Sequence, residues 1–205
     1  MITFDSFVIS SLLGDGYLPK ESIYYYGLFF QHSLKQEEYA LYKKNIAESL
    51  GMDTKVYYIN KNFPAIRVKC SLDKSYFKKM KHKIYPNGNK TITRSLLNLL
   101  DADGLSLWWQ DDGCLSIYRH PIKHNTSRYG KLCTHGFSKE ENIIISNYFS
   151  TVWKIETQVT MEKGKYYFQR LNATNLNKFF DIINVHESMK YKTDMKYTNF
   201  VPRVS

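Results

Sequence analysis

The sequence predicts an α+β fold of two pseudo-symmetric αββαββα units whose antiparallel sheets together form a saddle. Three observations carry this expectation. An Asp-Gly pair ends an apolar, helix-forming segment twice, at Asp15-Gly16 and at Asp112-Gly113, 97 residues apart. A charged helix start follows each pair, Lys35-Gln36-Glu37-Glu38-Tyr39 and Ser138-Lys139-Glu140-Glu141-Asn142, with Glu37 and Glu140 offset by 103 residues. Each helix then leads into two short strand-like runs and a short amphipathic helix.

The elements are justified in order. Residues 7–13 and 105–109 are apolar and suit buried helices. Val56-Tyr57-Tyr58 with Ala65-Ile66-Arg67-Val68 makes one strand pair; Val159-Thr160-Met161 with Tyr166-Tyr167-Phe168-Gln169 makes the matching one. Short helices are expected around 75–82 and 175–183. Pro86-Asn87-Gly88-Asn89 signals a turn, so the join is placed near 87–95, with one half over 1–90 and the other over 91–205. Lys90 and Lys192 occupy matching positions, offset by 102 residues. Two similar units in one chain imply a pseudo-two-fold axis across which equivalent residues face each other, and a monomer suffices.

The charge of the 205-residue chain favours a polyanionic partner. Lys and Arg number 29 against 19 Asp and Glu, a net charge of +10. Strand alternation sharpens this: Ile66, Val68 and Cys70 face one way, Arg67 and Lys69 the other. Sheets buried on their apolar faces would present basic outer faces to a duplex. Candidate groove contacts are Gln31, His32, Lys55, Tyr57, Arg67, Lys69, Arg119, Lys123, Arg128, Gln158, Lys165 and Gln169. No apolar run is long enough to span a membrane, and the N-terminus lacks the basic leader of a signal peptide. Cys70, Cys114 and Cys133 have no paired spacing and read as reduced thiols, not as a zinc site. Abundant Lys, Asn, Ile and Tyr hint at an AT-rich genome such as that of an organelle, phage or low-GC bacterium.

Gly14-Asp15-Gly16 and Asp111-Asp112-Gly113 place a carboxylate at the C-terminal end of a helix, where the helix dipole disfavours negative charge. Two such helices packed about a pseudo-dyad would bring Asp15 and Asp112 together. Adjacent carboxylates repel unless a cation neutralises them, and metal-assisted phosphodiester hydrolysis uses such a cluster.

These motifs, 8–16 and 105–113, resemble those of the LAGLIDADG homing endonucleases, in the subgroup with two motifs in one chain. The second is similar to that subgroup's W-x-x-D-D-G form; 32–39, 137–141 and the closing Met189-Lys190-Tyr191-Lys192 also resemble its segments. The resemblance implies the homing endonuclease fold and metal-dependent double-strand breaks at a long asymmetric duplex target. It implies Mg2+, with Mn2+ able to substitute, bound by Asp15 and Asp112 and assisted by the Gly14 and Asp111 carbonyls. It also implies active-site lysines at Lys90 and Lys192. Two alternatives remain open: an RNA-binding maturase that takes intron RNA on the same scaffold, and a non-catalytic DNA-binding regulator.

Residues 96–104, ending in Asp101-Ala102-Asp103-Gly104, match the family name more literally. They are expected to start the second motif helix instead, with Asp101 or Asp103 as its cap, because a further apolar helix segment follows rather than a strand.

Overall fold

A computed structural model describes residues 1–19, 27–60, 62–119 and 126–194. Helix α1 (Phe4–Leu13) starts at Thr3, whose hydroxyl accepts from the Ser6 N–H, and buries every residue from Ser6 to Leu13. A helix that is apolar all round belongs in an interior. Strands β1 (Gly16–Tyr17) and β2 (Leu28–Ser33) follow, then α2 (Glu37–Ser49), β3 (Asp53–Ile59), β4 (Ala65–Ser71) and α3 (Lys74–Ile84). After a short linking helix α4 (Arg94–Leu97) the order repeats: α5 (Ala102–Asp112), β5 (Gly113–Arg119), β6 (Thr126–Leu132), α6 (Lys139–Tyr148), β7 (Gln158–Glu162), β8 (Tyr166–Leu171) and α7 (Ala173–Ile182).

The two sheets share one topology. Their strand orders are β1-β2-β4-β3 and β5-β6-β8-β7, antiparallel throughout. Equivalent elements take equivalent places, which is the pseudo-symmetry expected from the repeat.

The halves meet where α1 packs on α5. Asp101 caps α5 by accepting from the Gly104 N–H at 2.8 Å, and the same carboxylate accepts from the Thr3 N–H at 2.8 Å and the Ser6 hydroxyl at 2.7 Å. A Cβ at Gly104 would lie 2.1 Å from Ser6 Oγ, so this glycine lets the two helices touch. The 101–104 segment is thus a cap and a contact point, at the end of α5 opposite Asp112. Trp108 and Trp109 anchor the shared core, Trp109 edge-on to Phe179 and Phe180 of α7. Gln110 is fully buried: its amide donates to the Ser106 carbonyl and its oxygen accepts from the His186 N–H. No described helix is long and apolar enough to cross a membrane.

Each sheet turns one face to the helices. In the first, Ile66, Val68 and Cys70 are buried while Arg67 and Lys69 are only half-buried on the other face, as the alternation predicts. Tyr58 lies opposite the buried Ile66 in the ladder, yet it is exposed and its hydroxyl donates to Glu37 at 2.7 Å. In the second sheet, a Cβ at Gly130 would meet Leu176 and Trp109, so the even-numbered residues of β6 face the helices.

Candidate active site

The C-termini of α1 and α5 deliver Asp15 and Asp112 to the junction of the sheets. Lys90 reaches the first motif, its ammonium 3.5 Å from the Gly14 carbonyl and 3.3 Å from that of Gly16. Lys192 reaches the second, donating to the Asp111 carbonyl at 2.8 Å. Gly14 and Asp111 are equivalent positions, one residue before each motif aspartate, so the two lysines make related contacts. The four residues expected from the repeat, Asp15, Asp112, Lys90 and Lys192, therefore converge with Gly14 and Asp111.

The site is electrostatically crowded. Withdrawal from water and the Asp111 charge push the Asp15 carboxyl up to about 6, against the pull of Lys43, Lys192 and Lys90. Burial, Asp111 and Asp15 push Asp112 to about 7. Burial lowers the affinity of Lys90 and Lys192 for their protons, and the surrounding carboxylates oppose that. Asp15 and Asp112 are thus carboxyls whose ionised forms would be favoured by added positive charge. Among the described residues, Asp15, His32 and Asp111 each place a potential ligand atom within 4.8 Å of the others, and the Asp112 carboxylate and the Gly14 and Asp111 carbonyls add oxygens to the same cluster. The oxygens are hard ones of the kind Mg2+ and Mn2+ prefer.

Two residues that carry much of the geometry were not singled out from the sequence. Lys43 of α2 ion-pairs with Asp111 at 2.7 Å, neither side chain being exposed. Tyr39, one turn earlier, donates to Asp111 at 2.8 Å. Although burial opposes it, the Lys43 ammonium holds the Asp111 carboxyl below its ordinary value. The available signal was the buried stripe Tyr39, Ala40, Lys43, Ala47, in which a lysine occupies an otherwise inward face.

Several expected groove contacts fall on the outer faces. Gln31, Lys55 and Tyr57 are exposed, and Arg67 donates to Gln31 through Nε and Nη2 at 2.9 and 2.8 Å. Lys69 lies opposite Phe29 in the ladder, its ammonium 6.0 Å from that ring. Gln158 and Lys165 are exposed in the second half, Lys165 in the turn before β8 with its ammonium 4.9 Å from the Tyr166 ring. Lys123 and the side chain of Arg119 lie outside the described residues.

Three expected contacts are corrected. His32 is buried, with Nδ1 3.4 Å from the Asp15 carboxylate, because position 32 is on the inner face of β2. Gln169 is fully buried; its amide donates to the Asn142 carbonyl and side-chain oxygen at 2.9 Å, and its own oxygen accepts from Thr157 at 2.7 Å. Arg128 shares the helix-facing parity of Gly130 and donates to Asn177 of α7. The outer face of the second sheet is instead built from Tyr129, Lys131 and Arg170, with Lys131 paired to Arg170 in the ladder and the Arg170 guanidinium over the Tyr129 ring at 4.6 Å.

Comparisons with known proteins show the family and the fold. The family profile described as the LAGLIDADG DNA endonuclease family matches residues 5–179. A curated relative from Mycosarcoma maydis, "Probable intron-encoded DNA endonuclease 3", is 29% identical over 139 residues, covering 60% of this chain and 96% of that protein. The solved structure "The homing endonuclease I-WcaI bound to its DNA recognition sequence" superposes with a TM-score of 0.73 at 20% identity, over 95% of this chain and 88% of that one. "The crystal structure of I-DmoI in complex with DNA and Mn" superposes with a TM-score of 0.50 at 13% identity, over 87% and 94% of the two chains. With its repeated sheets, paired helices and two motif aspartates, the chain belongs to the LAGLIDADG DNA endonuclease family.

Proposed function

We propose that this protein is a site-specific homing endonuclease that acts as a monomer and cuts both strands of a long, asymmetric DNA duplex with Mg2+, for which Mn2+ can substitute. The observation that carries the reading is the convergence of Asp15 and Asp112 at the ends of paired helices, each beside a lysine bonded to the preceding carbonyl. The similar structures, one bound to its DNA recognition sequence and one in complex with DNA and Mn, support the same partners. The halves divide at 1–90 and 91–205. The bond from the Ile92 N–H to Glu141 of α6 supports this by tying the chain to the second half directly after Lys90.

In this reading Asp15 and Asp112 would hold the divalent metal. Bound there, it would supply the positive charge that polarises a phosphate, activates water and stabilises a leaving oxygen. Lys90 and Lys192 stand within the same cluster, where their desolvated ammoniums stabilise charge gathering on phosphate oxygens. Gln31, Arg67, Lys69, Lys55 and Tyr57 on one sheet, and Gln158, Lys131 and Arg170 on the other, face the duplex and fix its register. Cleavage of a randomised duplex library with Mg2+, beside a chelator control, tests this: both strands cut at one long site is expected. Duplex binding with no cutting points to the regulator or maturase reading, for which intron-RNA affinity is the next measurement.

A further inference from the structure

The two motif aspartates are not held alike. The backbone N–H of Asp15 donates to Asp111 Oδ2 at 3.2 Å. That carboxylate comes from the opposite half and is fixed in turn by Lys43 and Tyr39, both of the first half. The position equivalent to Asp111 is Gly14, which has no side chain to return the bond to Asp112. Gly14 is required there, since a Cβ would lie 2.4 Å from Asp111 Oδ2. On the other side of Asp15 stands His32, whose Nδ1 faces the carboxylate while Nε2 is buried with no partner. A neutral imidazole donates from one nitrogen only, and the carboxylate gives the proton on Nδ1 an acceptor. By the strand register, in which Gly16 opposite Phe30 corresponds to Gly113 opposite Leu132, the residue equivalent to His32 is the buried Thr134, whose hydroxyl donates to Asn142 Oδ1 at 2.5 Å instead. Among the described residues, no side chain hydrogen-bonds to the Asp112 carboxylate.

We propose that Asp111, braced by Lys43 and Tyr39, and His32 are positioning residues dedicated to Asp15, which makes the first half-site the preorganised one and the two metal-binding carboxylates inequivalent. The proposal rests on the endonuclease reading above. The Asp111 carboxylate is in this view no metal ligand: Oδ1 accepts from Tyr39, and Oδ2 from Lys43 and from the Asp15 N–H. Fixed neighbours of this kind typically tune metal affinity by about 10–100-fold.

The test measures Mn2+ binding by electron paramagnetic resonance on the protein bound to its selected duplex. It uses two backgrounds, Asp112→Asn, which leaves Asp15, and Asp15→Asn, which leaves Asp112. In the first, Lys43→Met with Asp111→Asn, and separately His32→Leu, are each expected to weaken Mn2+ binding about tenfold. His32→Gln, which restores a donor, recovers most of that loss. In the second background the same changes shift binding less than about twofold. Equal weakening in both backgrounds, or in neither, overturns the proposal and leaves the network a packing device. Should Lys43→Met with Asp111→Asn fail to fold, the His32 pair decides by the same comparison. If Asp15→Asn with Asp112→Asn binds Mn2+ as the unaltered protein does, the two-carboxylate reading itself fails, and the proposal with it.

Discussion

Lys43 and Asp111 form an ion pair at 2.7 Å in which both side chains are completely withdrawn from solvent. One partner comes from α2 of the first half, the other from the last turn of α5 in the second. Breaking such a pair leaves a buried charge uncompensated, at a cost of about 3–5 kcal/mol. Lys43→Met is therefore expected to lower the unfolding free energy by that order in denaturant titration. Combining it with Asp111→Asn removes the orphaned charge and should recover a large part of the loss. An equally unstable double variant would contradict the assignment.

Gly14→Ala places a methyl group 2.4 Å from Asp111 Oδ2. The Asp111 carboxylate cannot give way without losing Lys43, Tyr39 or the Asp15 N–H. Overpacking of this kind costs about 1–3 kcal/mol, and cleavage should fall further than stability does, because the shifted groups are those that hold Asp15. Chemical denaturation and cleavage rates on one preparation separate the two effects.

The acidity of the site sets a pH dependence. Asp15 at about 6 and Asp112 at about 7 both lie above the ordinary carboxyl value of 3.8. Raised carboxyls favour folding while protonated, so without metal their contribution is full below the ordinary value and is lost as pH rises through 6 and 7. Metal binds the ionised forms. Its stabilising effect on thermal unfolding should therefore be small near pH 5 and large near pH 8, rising across the interval between. A metal effect independent of pH over this range would contradict the assigned ligands.

Lys90 and Lys192 contact backbone carbonyls of the motifs, not the helix core. Lys90→Met and Lys192→Met should each slow cleavage by roughly 10²–10³-fold, as removal of one charge-stabilising donor does. Duplex affinity should change far less. Single-turnover cleavage beside equilibrium binding reads both.

The corrected groove assignments have their own signature. Neutralising a phosphate contact reduces the slope of log affinity against log salt by about 0.9. Lys131→Met and Arg170→Met should lower the slope for duplex binding, whereas Arg128→Met, on the helix side of its sheet, should leave it unchanged. Gln169→Leu should reduce stability through the buried amides it abandons and leave base preference intact.

Much of the fold was legible because the repeat doubles every signal. The motif helices, the charged starts of α2 and α6, the strand pairs β3–β4 and β7–β8 and the helices α3 and α7 all lie where the sequence places them. The active-site convergence was legible for the same reason, since symmetric spacing selects Lys90 and Lys192 from many lysines. Strand faces were legible only where apolar residues alternate strictly, as in Ile66-Arg67-Val68-Lys69-Cys70. In β8 the buried pair Phe168 and Gln169 breaks the alternation, which hides the inward place of Gln169 and the outward place of Arg170. In β6 the direction of a whole face is fixed by Gly130 resting on Trp109 and Leu176, a contact between elements far apart in the chain. His32 was misplaced because a histidine among aromatic residues suits either face. Its partner, Asp15, lies 17 residues earlier and meets it only after β1 and β2 pair.

The central claim is that Asp15 and Asp112, and not the Asp103 of the more literal motif, are the metal-binding pair. Double-strand cleavage of the selected duplex by Asp15→Asn, Asp112→Asn and Asp103→Asn tests it most directly. The expected result is that Asp103→Asn cuts both strands, while Asp15→Asn and Asp112→Asn bind the duplex but fail to cut both. Loss of cutting in Asp103→Asn with retention in Asp112→Asn would contradict the account.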